Sequence, residues 1–502
     1  MAEIEEEEVR RSRLEALVAA GSDPYPAVTA RSHTVAAFLD AYETAEAQGE
    51  GTPAFTLAGR VRTIRRHGGL TFLHLEDETG RVQGVLKRDQ LGDTYAFFHA
   101  VADMGDFLEM CGTPFTTQKG EHSLLVASVR IIGKSLRPLP EKWHGLQDVE
   151  TRYRQRELDL LSHPDVRQRF VARSRLVSAM RCFLDERGFL EVETPMLQAI
   201  PGGASARPFV THHNALDVDL YLRIAPELYL KRLLVGGFEK IYEIGRCFRN
   251  EGIDYAHNPE FTMIELYWAY AGKEVFLTLL EDLVRYAVSE AKKGWHPEEE
   301  AGPTVDFASA WPRKTFRETI LEACGIDIDA YRDSVSLVAA VREHGLDVDF
   351  SGCVGLGEHY DQLYKKTARA ALEGPVWVFD YPVVLKPLTR RHPDDSTKSA
   401  CAQLIIGGAE IINAYYHELN DPIDQRARFL DQQTLREQGS EEAQHFDEAF
   451  LTALEHGMPP AAGMGIGIDR LAALVTGAAS LKEVILFPTL RPRPIEETSE
   501  TV

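Results

Sequence analysis

The sequence lacks the features that mark secreted, disulfide-bonded and membrane-embedded chains. Its six cysteines are scattered over 502 residues without a Cys-x-x-Cys pair, which argues against a zinc ribbon and a disulfide framework. Its longest apolar runs, such as Val376–Phe379, are far shorter than the roughly 20 residues of a membrane span. Residues 1–8 are acidic and lack the apolar core of a secretory signal. We therefore expect a reduced, cytoplasmic protein.

Two common nucleotide-binding signatures are also absent. There is no Gly-x-x-x-x-Gly-Lys-Ser/Thr loop, and no Gly-x-Gly-x-x-Gly follows a strand. The nearest pattern is Gly463-Met464-Gly465-Ile466-Gly467, which leads into Asp469-Arg470 and not into a phosphate-cradling helix start. Alternate glycines indicate either a tightly packed strand or a strand bared for a ligand, and Arg470 favours the ligand.

Charge is distributed unevenly along the chain. The formal net charge of −22 opposes nucleic-acid binding by the protein as a whole, because phosphate contacts normally use lysine and arginine. A basic cluster nevertheless occurs at Arg60, Arg62, Arg65, Arg66 and His67. It indicates either a solvated surface or a positive face on an acidic body.

Periodicity divides the chain into segments. Residues 1–50 are predicted to form an N-terminal helical extension, because apolar residues recur there at helical spacing. Over 51–136 the period changes to that of short strands, with Leu73 and Leu75 alternating with polar neighbours, as in a five-stranded oligonucleotide-binding (OB) barrel. Residues 137–163 indicate a linker.

Residues 164–490 are expected to form an α+β domain. Strand-like runs are interrupted irregularly by helices, which favours an antiparallel or mixed sheet over a doubly wound parallel one. The predicted strands are 220–224, 241–248, 261–267, 376–381, 404–412 and 464–468. A helical insertion is expected at about 272–370, and residues 491–502 are expected to form a C-terminal tail.

The run from Arg249 to Phe261 suggests a nucleotide site. An arginine can make two parallel hydrogen bonds to phosphate or carboxylate oxygens, and a phenylalanine ring offers a flat face to adenine. The acids Glu227, Glu410 and Glu418 stand in apolar surroundings, where carboxylates need partners. A metal ion, a cationic substrate or a structural salt bridge would each explain them.

These motifs resemble those of class II aminoacyl-tRNA synthetases, and within that class the lysyl-tRNA synthetases. The three class motifs are similar to residues 188–195, to residues 248–251 with 257–261, and to residues 465–470. Longer matches surround them, including Pro201-Gly202-Gly203-Ala204 and Glu418-Leu419-Asn420-Asp421, and the likeness covers about residues 10–490. It implies a homodimer in which an OB barrel reads the anticodon and a catalytic domain, an antiparallel sheet flanked by helices, uses ATP, L-lysine and tRNA(Lys).

The resemblance assigns residues to four sites. The implied catalytic residues are Arg249, Glu251 and Arg470. The implied ATP site contains Arg249, Glu251, His257, Phe261, Glu410 and Arg470, with Glu410 at Mg²⁺. The implied lysine site contains Gly203, Glu227, Arg249, Tyr267, Asn413 and Glu418. The implied anticodon site contains Arg65, Phe72, Gln83 and Glu121. No membrane or DNA partner is implied.

Four departures from the family pattern bear on activity. Ala256 replaces an arginine at the ATP, Gln403 replaces a carboxylate expected to share Mg²⁺ with Glu410, and Lys386 replaces a serine. The interval from Glu410 to Glu418 has one residue more than usual. The leading hypothesis is an active lysine–tRNA ligase. The alternatives are a ligase of the same class for aspartate or asparagine, towards which Lys386 leans, and a catalytically weakened tRNA-binding paralogue.

Overall fold

The computed structural model describes residues 2–46, 54–140, 146–295 and 305–492. The chain forms two compact units, Met1–Leu146 and Gln147–Val502. Residues 141–145 of the predicted linker and 493–502 of the predicted tail lie outside the described residues. Within the described ranges, each helix is too short or too polar to cross a membrane.

The first unit is built on a closed barrel with the strand order β1-β2-β3-β5-β4. Its strands are β1 (Phe55–His67), β2 (Leu70–Asp77), β3 (Gly80–Lys87), β4 (Phe107–Thr116) and β5 (His122–Gly133), and its helices are α1 (Ala2–Ala19), α2 (Val35–Glu46), α3 (Arg88–Leu91) and α4 (Asp93–Val101). Leu73 and Leu75 point into the barrel and are fully buried. The expected OB barrel is therefore confirmed.

The N-terminal helices share the core of this barrel. Leu17 of α1 and Phe38 and Tyr42 of α2 are buried in the same apolar cluster as Leu57 of β1. The segment predicted as a separate extension therefore belongs to the compact barrel unit.

The second unit is organised around a sheet with the order β12-β13-β14-β15-β16-β11-β10-β6. Its strands are β6 (Leu190–Glu191), β7 (Leu197–Gln198), β8 (Val210–His213), β9 (Val218–Leu222), β10 (Lys240–Phe248), β11 (Glu260–Ala269), β12 (Arg313–Thr315), β13 (Val376–Phe379), β14 (Cys401–Ile406), β15 (Ala409–Tyr415) and β16 (Ala461–Gly467). Its helices are α5 (Val149–Arg154), α6 (Arg156–Ser162), α7 (Pro164–Asp185), α8 (Glu227–Val235), α9 (Lys273–Lys292), α10 (Phe316–Cys324), α11 (Ser334–Glu343), α12 (Gly355–Thr367), α13 (Pro422–Glu437), α14 (Glu448–Glu455) and α15 (Ile468–Val475). The large sheet is antiparallel except where β12 joins β13 and β6 joins β10. This confirms the expected α+β class.

The two faces of the large sheet differ because side chains alternate along each strand. On one face, Met464 and Ile466 of β16 lie in an apolar core with residues of α7 and α9, such as Leu176 and Leu280. On the other face, β16 presents its alternate glycines and Ala461. The sheet therefore has one face packed against α7 and α9, and an opposite face, here called the open face, on which polar groups lie beside apolar residues of α8 and α14 such as Leu228 and Phe450.

Three segments differ in detail from the sequence expectations. Residues 404–412, expected as one strand, form a hairpin of β14 and β15, because Gly407 and Gly408 turn the chain with φ of 56° and 71°. The predicted linker contains the helices α5 and α6. The predicted insertion begins with α9, whose Leu283 lies in the main core and so belongs to the sheet layer.

Candidate active site

Two rows of directly paired residues cross the open face of the sheet. In the first row, Gln403 of β14 pairs with Asn413 of β15, then come Gly465 of β16, Glu265 of β11 and Glu243 of β10. Directly paired residues share a face of a sheet, so the side chains of this row point to the same side.

The second row places the aromatic residues of the site. It runs from Cys401 through Tyr415 and Gly463 to Tyr267. An added Cβ at Gly463 would collide with the ring of Tyr267 and with Glu418 Oε1. Glycine is therefore required at position 463 for close packing against these side chains, as expected for a tightly packed strand.

A second glycine borders the same space. Gly203 has a φ of 89°, and a Cβ added there would lie 2.9 Å from the Cβ of Glu227. The turn thus brings the backbone against the first residue of α8. The structure places Gly203 and Glu227 together, as the resemblance implies.

Three buried carboxylates and one buried ammonium lie on the open face. Glu227, Glu265 and Glu418 are 2%, 4% and 1% exposed, and Lys231 is fully buried. Lys231 Nζ lies 2.6 Å from Glu227 Oε1 and 2.7 Å from Glu418 Oε2, and it donates to the carbonyl oxygen of Leu388 at 3.1 Å. Glu418 Oε1 is buried and has no hydrogen-bond donor within the described chain.

The pKa values of this cluster are shifted chiefly by burial, because three carboxyl groups and one ammonium are enclosed together. Burial, opposed by the charge of Lys231, raises the pKa of Glu227 and of Glu418. Burial and then the charge of Glu227 raise the pKa of Glu265 well above its usual range. Burial alone would lower the pKa of Lys231, but the charges of Glu227 and Glu418 raise it, so Lys231 remains an ammonium. A cationic ligand would relieve this imbalance.

A second polar network lies at the Gln403 end of the first row. Gln403 Nε2 donates to Glu410 Oε2 at 2.8 Å and to Asn413 Oδ1 at 3.3 Å. Lys386 Nζ donates to the same Asn413 oxygen at 3.2 Å, and Asn413 Nδ2 donates to the hydroxyl of Tyr415 at 2.5 Å. Both ends of the Asn413 amide are thus engaged within the chain.

The two arginines of the predicted nucleotide site approach the same space. Arg249 follows β10, and its guanidinium carbon lies 5.0 Å from the ring centre of Phe261 on β11. Arg470, in the first turn of α15 after β16, donates to the carbonyl oxygen of Glu410 at 3.1 Å. Burial lowers the pKa of Arg470, and the positive charge of Arg249 lowers it further. The two guanidinium groups therefore lie near enough to repel each other. Arg249 Nε is buried without an acceptor among the residues described.

The loop after β10 carries the remaining predicted nucleotide residues. His257 links Asp254, 2.9 Å from Nδ1, with Arg470, whose Nη2 is 3.4 Å from Nε2. Ala256 contributes a backbone N–H, which donates to Asp254 Oδ1 at 2.7 Å. Glu251 is exposed on this loop.

Sequence reasoning missed two members of the cluster, Lys231 and Glu265. Lys231 stands four residues after Glu227 in α8, and this helical spacing was a usable signal. Glu265 lies two residues before Tyr267 on β11, so strand alternation places both on one face. Each residue looked ordinary in sequence because burial and the partner strand decide its role.

The barrel unit brings together the predicted anticodon residues on the outward-facing side of its strands, although the side chain of Gln83 is buried among its neighbours there. Gln83 Nε2 donates to Glu121 Oε2 at 2.6 Å, and Arg65 pairs across the strands with Phe72. His74, not predicted as a site residue, pairs with Gln83, and its Nε2 lies 3.3 Å from Glu121 Oε1. The patch thus combines an aromatic ring with amide, carboxylate, imidazole and guanidinium groups.

Comparison with known proteins identifies matches for both units. Residues 148–491 match the family model of class II tRNA synthetases (D, K and N), and residues 55–132 match that of the OB-fold nucleic acid binding domain. The chain is 48% identical over 486 residues to a lysine–tRNA ligase of Pelotomaculum thermopropionicum, covering 97% of this chain and 94% of that protein. It is 49% identical to a lysine–tRNA ligase of Roseiflexus castenholzii, with 96% and 98% covered. It is 44% identical to that of Bacillus subtilis, with 97% of each covered.

Removal of the buried ammonium should destabilise the catalytic unit. In Lys231→Met, Glu227 and Glu418 lose their cation, and we expect a loss of about 3–5 kcal/mol in the free energy of unfolding near pH 8. Their pKa values are raised in the folded state, so the folded protein takes up protons as the pH falls and the loss should shrink towards pH 5.5.

Urea unfolding followed by tryptophan fluorescence at several pH values measures this effect. The matched control is Lys314→Met, which removes an exposed ammonium 2.6 Å from Glu322 Oε2. A deficit that is equal at pH 8 and pH 5.5 would show that the charge of Lys231 is not what stabilises the cluster.

Proposed function

Because the chain belongs to the class II tRNA synthetases for aspartate, lysine and asparagine, and within them to the lysine–tRNA ligases, we infer that it is a lysine–tRNA ligase. It activates L-lysine with ATP to lysyl-adenylate and transfers the lysyl group to tRNA(Lys). The observation that carries this function is the buried Glu418, whose Oε1 has no hydrogen-bond partner among the described residues and faces the space that we take as the lysine cavity. Since ATP and tRNA are cytoplasmic, we propose the cytoplasm as its place of action.

The charge of the cavity suits lysine as the amino acid. Three buried carboxyl groups surround the ammonium of Lys231, and Glu418 Oε1 has no donor among the described residues, so the two ammonium groups of lysine would find acidic partners here. We propose that Glu227 and Gly203 receive the α-ammonium, and that Glu418 and Tyr267 receive the ε-ammonium. An uncharged analogue would leave Glu418 buried without its partner, which strongly disfavours it.

Aspartate and asparagine fit this cavity less well. A side-chain carboxylate would meet the negative Glu418, and an amide would not neutralise it. In the sequence, Lys386 favoured these two substrates. In the structure its ammonium donates to Asn413 and lies 5.0 Å from the ring centre of Tyr381. Its ammonium is therefore already engaged beside the ATP residues. This arrangement supports lysine over the two alternatives.

The activation step needs charge neutralisation and alignment more than a protein nucleophile. We propose that Arg249 binds the α-phosphate of ATP and the lysine carboxylate, which attacks phosphorus and displaces pyrophosphate. The unpaired Nε of Arg249 supports this role. Phe261 and Arg470 are proposed to enclose the adenine, with Glu251 and His257 near the ATP. These retained groups favour an active enzyme over a weakened paralogue.

Class II synthetases use ATP together with a divalent cation, generally Mg²⁺. The side chains around Glu410 do not form a cage for such an ion, since the described part of the chain offers no group of three or more His, Cys, Asp and Glu residues. We therefore propose that Glu410 contacts Mg²⁺ only when the ion enters the site bound to ATP.

Transfer to tRNA uses the barrel unit. We propose that the outer patch around Phe72 stacks on and hydrogen-bonds to unstacked anticodon bases, as single-stranded RNA is usually read. Gln83, Glu121 and Arg65 would provide the polar contacts. The basic cluster on β1 then serves the RNA backbone on an otherwise acidic protein.

We propose that the catalytic unit forms a homodimer through the region after α7. Several large apolar side chains between residues 190 and 218 are exposed, which is unusual for a surface that stays in water. They are Leu190, Met196, Leu197, Val210, Leu216 and Val218, exposed by 43–66%. A second copy of the chain is the proposed occupant, because the first class motif lies in this region.

The lysine preference can be measured by pyrophosphate exchange into ATP. The wild-type protein should exchange with lysine and not with aspartate or asparagine. Glu418→Gln should lower kcat/KM for lysine about 100-fold or more, because breaking a buried charge pair costs about 3 kcal/mol or more. Glu448→Gln, an exposed carboxylate 2.8 Å from Arg426, is the control. A preference of the wild type for aspartate or asparagine would overturn the substrate assignment.

The division of labour between the units predicts a separable defect. Phe72→Ala should raise KM for tRNA(Lys) about 10- to 100-fold, since stacking on one base is worth about 1–3 kcal/mol, and should leave pyrophosphate exchange unchanged. Phe107→Ala on β4 removes another partly exposed ring of the barrel and is the control. Equal losses of charging and exchange in Phe72→Ala would contradict the proposed anticodon role.

The dimer is tested by light scattering after size-exclusion chromatography. The wild-type chain should have twice the mass of 56.2 kDa. Leu190→Glu on the edge strand β6 should shift the protein to the monomer. Val335→Glu changes an exposed apolar residue on α11, outside the proposed interface, and should leave the mass unchanged. A monomeric wild type at micromolar concentration would refute the proposal.

A further inference from the structure

The corner of the site around Glu410 has donors where a protein-held Mg²⁺ would need acceptors. Mg²⁺ binds oxygen atoms, usually from one or two carboxylates together with phosphates and waters. Gln403, beside the carboxylate of Glu410, directs its Nε2 donor to Glu410 Oε2 at 2.8 Å. That N–H group occupies the carboxylate oxygen that would otherwise face a cation.

The orientation of the Gln403 amide follows from its neighbours. Asn413 donates from Nδ2 to Tyr415, so its Oδ1 faces Gln403. A reversed Gln403 amide would bring its oxygen against both Glu410 Oε2 and Asn413 Oδ1 without any proton between them. Gln403 therefore presents its nitrogen to this corner.

A lysine ammonium already supplies a cation at the same place. Lys386 Nζ lies 3.2 Å from Asn413 Oδ1, the oxygen that also accepts from Gln403. Lys386 is half-buried after the turn Val383–Leu385, and its ammonium lies 5.0 Å from the ring centre of Tyr381. A divalent ion held here would therefore face a carboxylate oxygen that already accepts from Gln403 and a fixed positive charge beside Asn413.

We propose that the Lys386 ammonium replaces a protein-held divalent cation in this corner and contacts the phosphate chain of ATP directly. Mg²⁺ then enters the site only as the ion that ATP itself carries. The inference rests on the proposed function, since it takes ATP as the substrate. Asn413 acts as a positioning residue that holds the Lys386 ammonium, and Gln403 links Asn413 to Glu410.

Manganese binding in the absence of nucleotide tests the proposal directly. Free Mn²⁺ is measured by electron paramagnetic resonance during titration of the protein. The wild type should bind no stoichiometric Mn²⁺ without ATP, whereas K386S/Q403E, which removes the ammonium and restores a carboxylate, should bind one ion per chain. The matched control K314S/Q433E changes an exposed lysine and an exposed glutamine and should behave as the wild type.

Two further measurements separate the roles of the residues. Q403E alone keeps Lys386 and should bind no Mn²⁺. K386S alone should lower kcat for lysine-dependent pyrophosphate exchange about 100-fold, as expected for loss of a group that stabilises developing charge. Exchange by the wild type should saturate once Mg²⁺ equals ATP, whereas K386S/Q403E should require Mg²⁺ in excess.

Stoichiometric Mn²⁺ binding by the wild type or by Q403E without ATP would overturn the proposal. So would a K386S variant that exchanges as fast as the wild type. A wild type without any lysine-dependent exchange would instead refute the proposed function. Even if the wild type shows no exchange, the nucleotide-free Mn²⁺ titration of the wild type still tests whether the protein holds a divalent ion. This titration does not depend on the folding of any variant.

Discussion

The catalytic unit depends on a buried ionic cluster that its own residues do not fully neutralise. Burying a carboxylate is costly unless it is paired, yet Glu227, Glu265 and Glu418 share one ammonium, that of Lys231. Burial raises the pKa of all three carboxyl groups, and we propose that the ammonium groups of lysine supply the missing partners on binding. In this proposal, specificity for lysine follows from the carboxylate oxygen that the folded chain leaves without a donor, while Lys231 pairs with Glu227 and with the other oxygen of Glu418.

Strand β16 connects this cluster to the ATP residues. Its alternation gives Met464 and Ile466 to the apolar core and gives Gly463, Gly465 and Gly467 to the open face. The same strand ends where α15 begins, which fixes Arg470 against the carbonyl oxygen of Glu410. In the proposed function lysine and ATP therefore meet at β16, whose glycines allow close packing of Tyr267 and Glu418 against the strand.

Much of this architecture was predictable from sequence because it depends on local pattern. The alternation of Leu73 and Leu75 predicted the barrel, and the three class motifs predicted the catalytic unit. The apolar run over 404–412 predicts a single strand, but the positive φ values of Gly407 and Gly408 end β14 and turn the chain into β15. The roles of Lys231 and Glu265 required knowledge of which strand lies beside which. The interval from Glu410 to Glu418 contains a β-bulge that only the strand pairing reveals. Leu404 pairs with Ile412 and Ile405 with Glu410, so Ile411 has no partner on β14.

Two of the departures from the family pattern, Gln403 and Lys386, meet in one hydrogen-bonded network through Asn413. Gln403 in place of a carboxylate removes one negative charge and Lys386 in place of a hydroxyl adds one positive charge, whereas Ala256 in place of an arginine removes one positive charge. The bulge at Ile411 keeps Asn413 in register with Gln403, so the amide can join both new groups. The proposed exchange of a bound ion for the Lys386 ammonium therefore involves Gln403, Asn413 and Lys386, and it requires no change at Arg249 or Arg470.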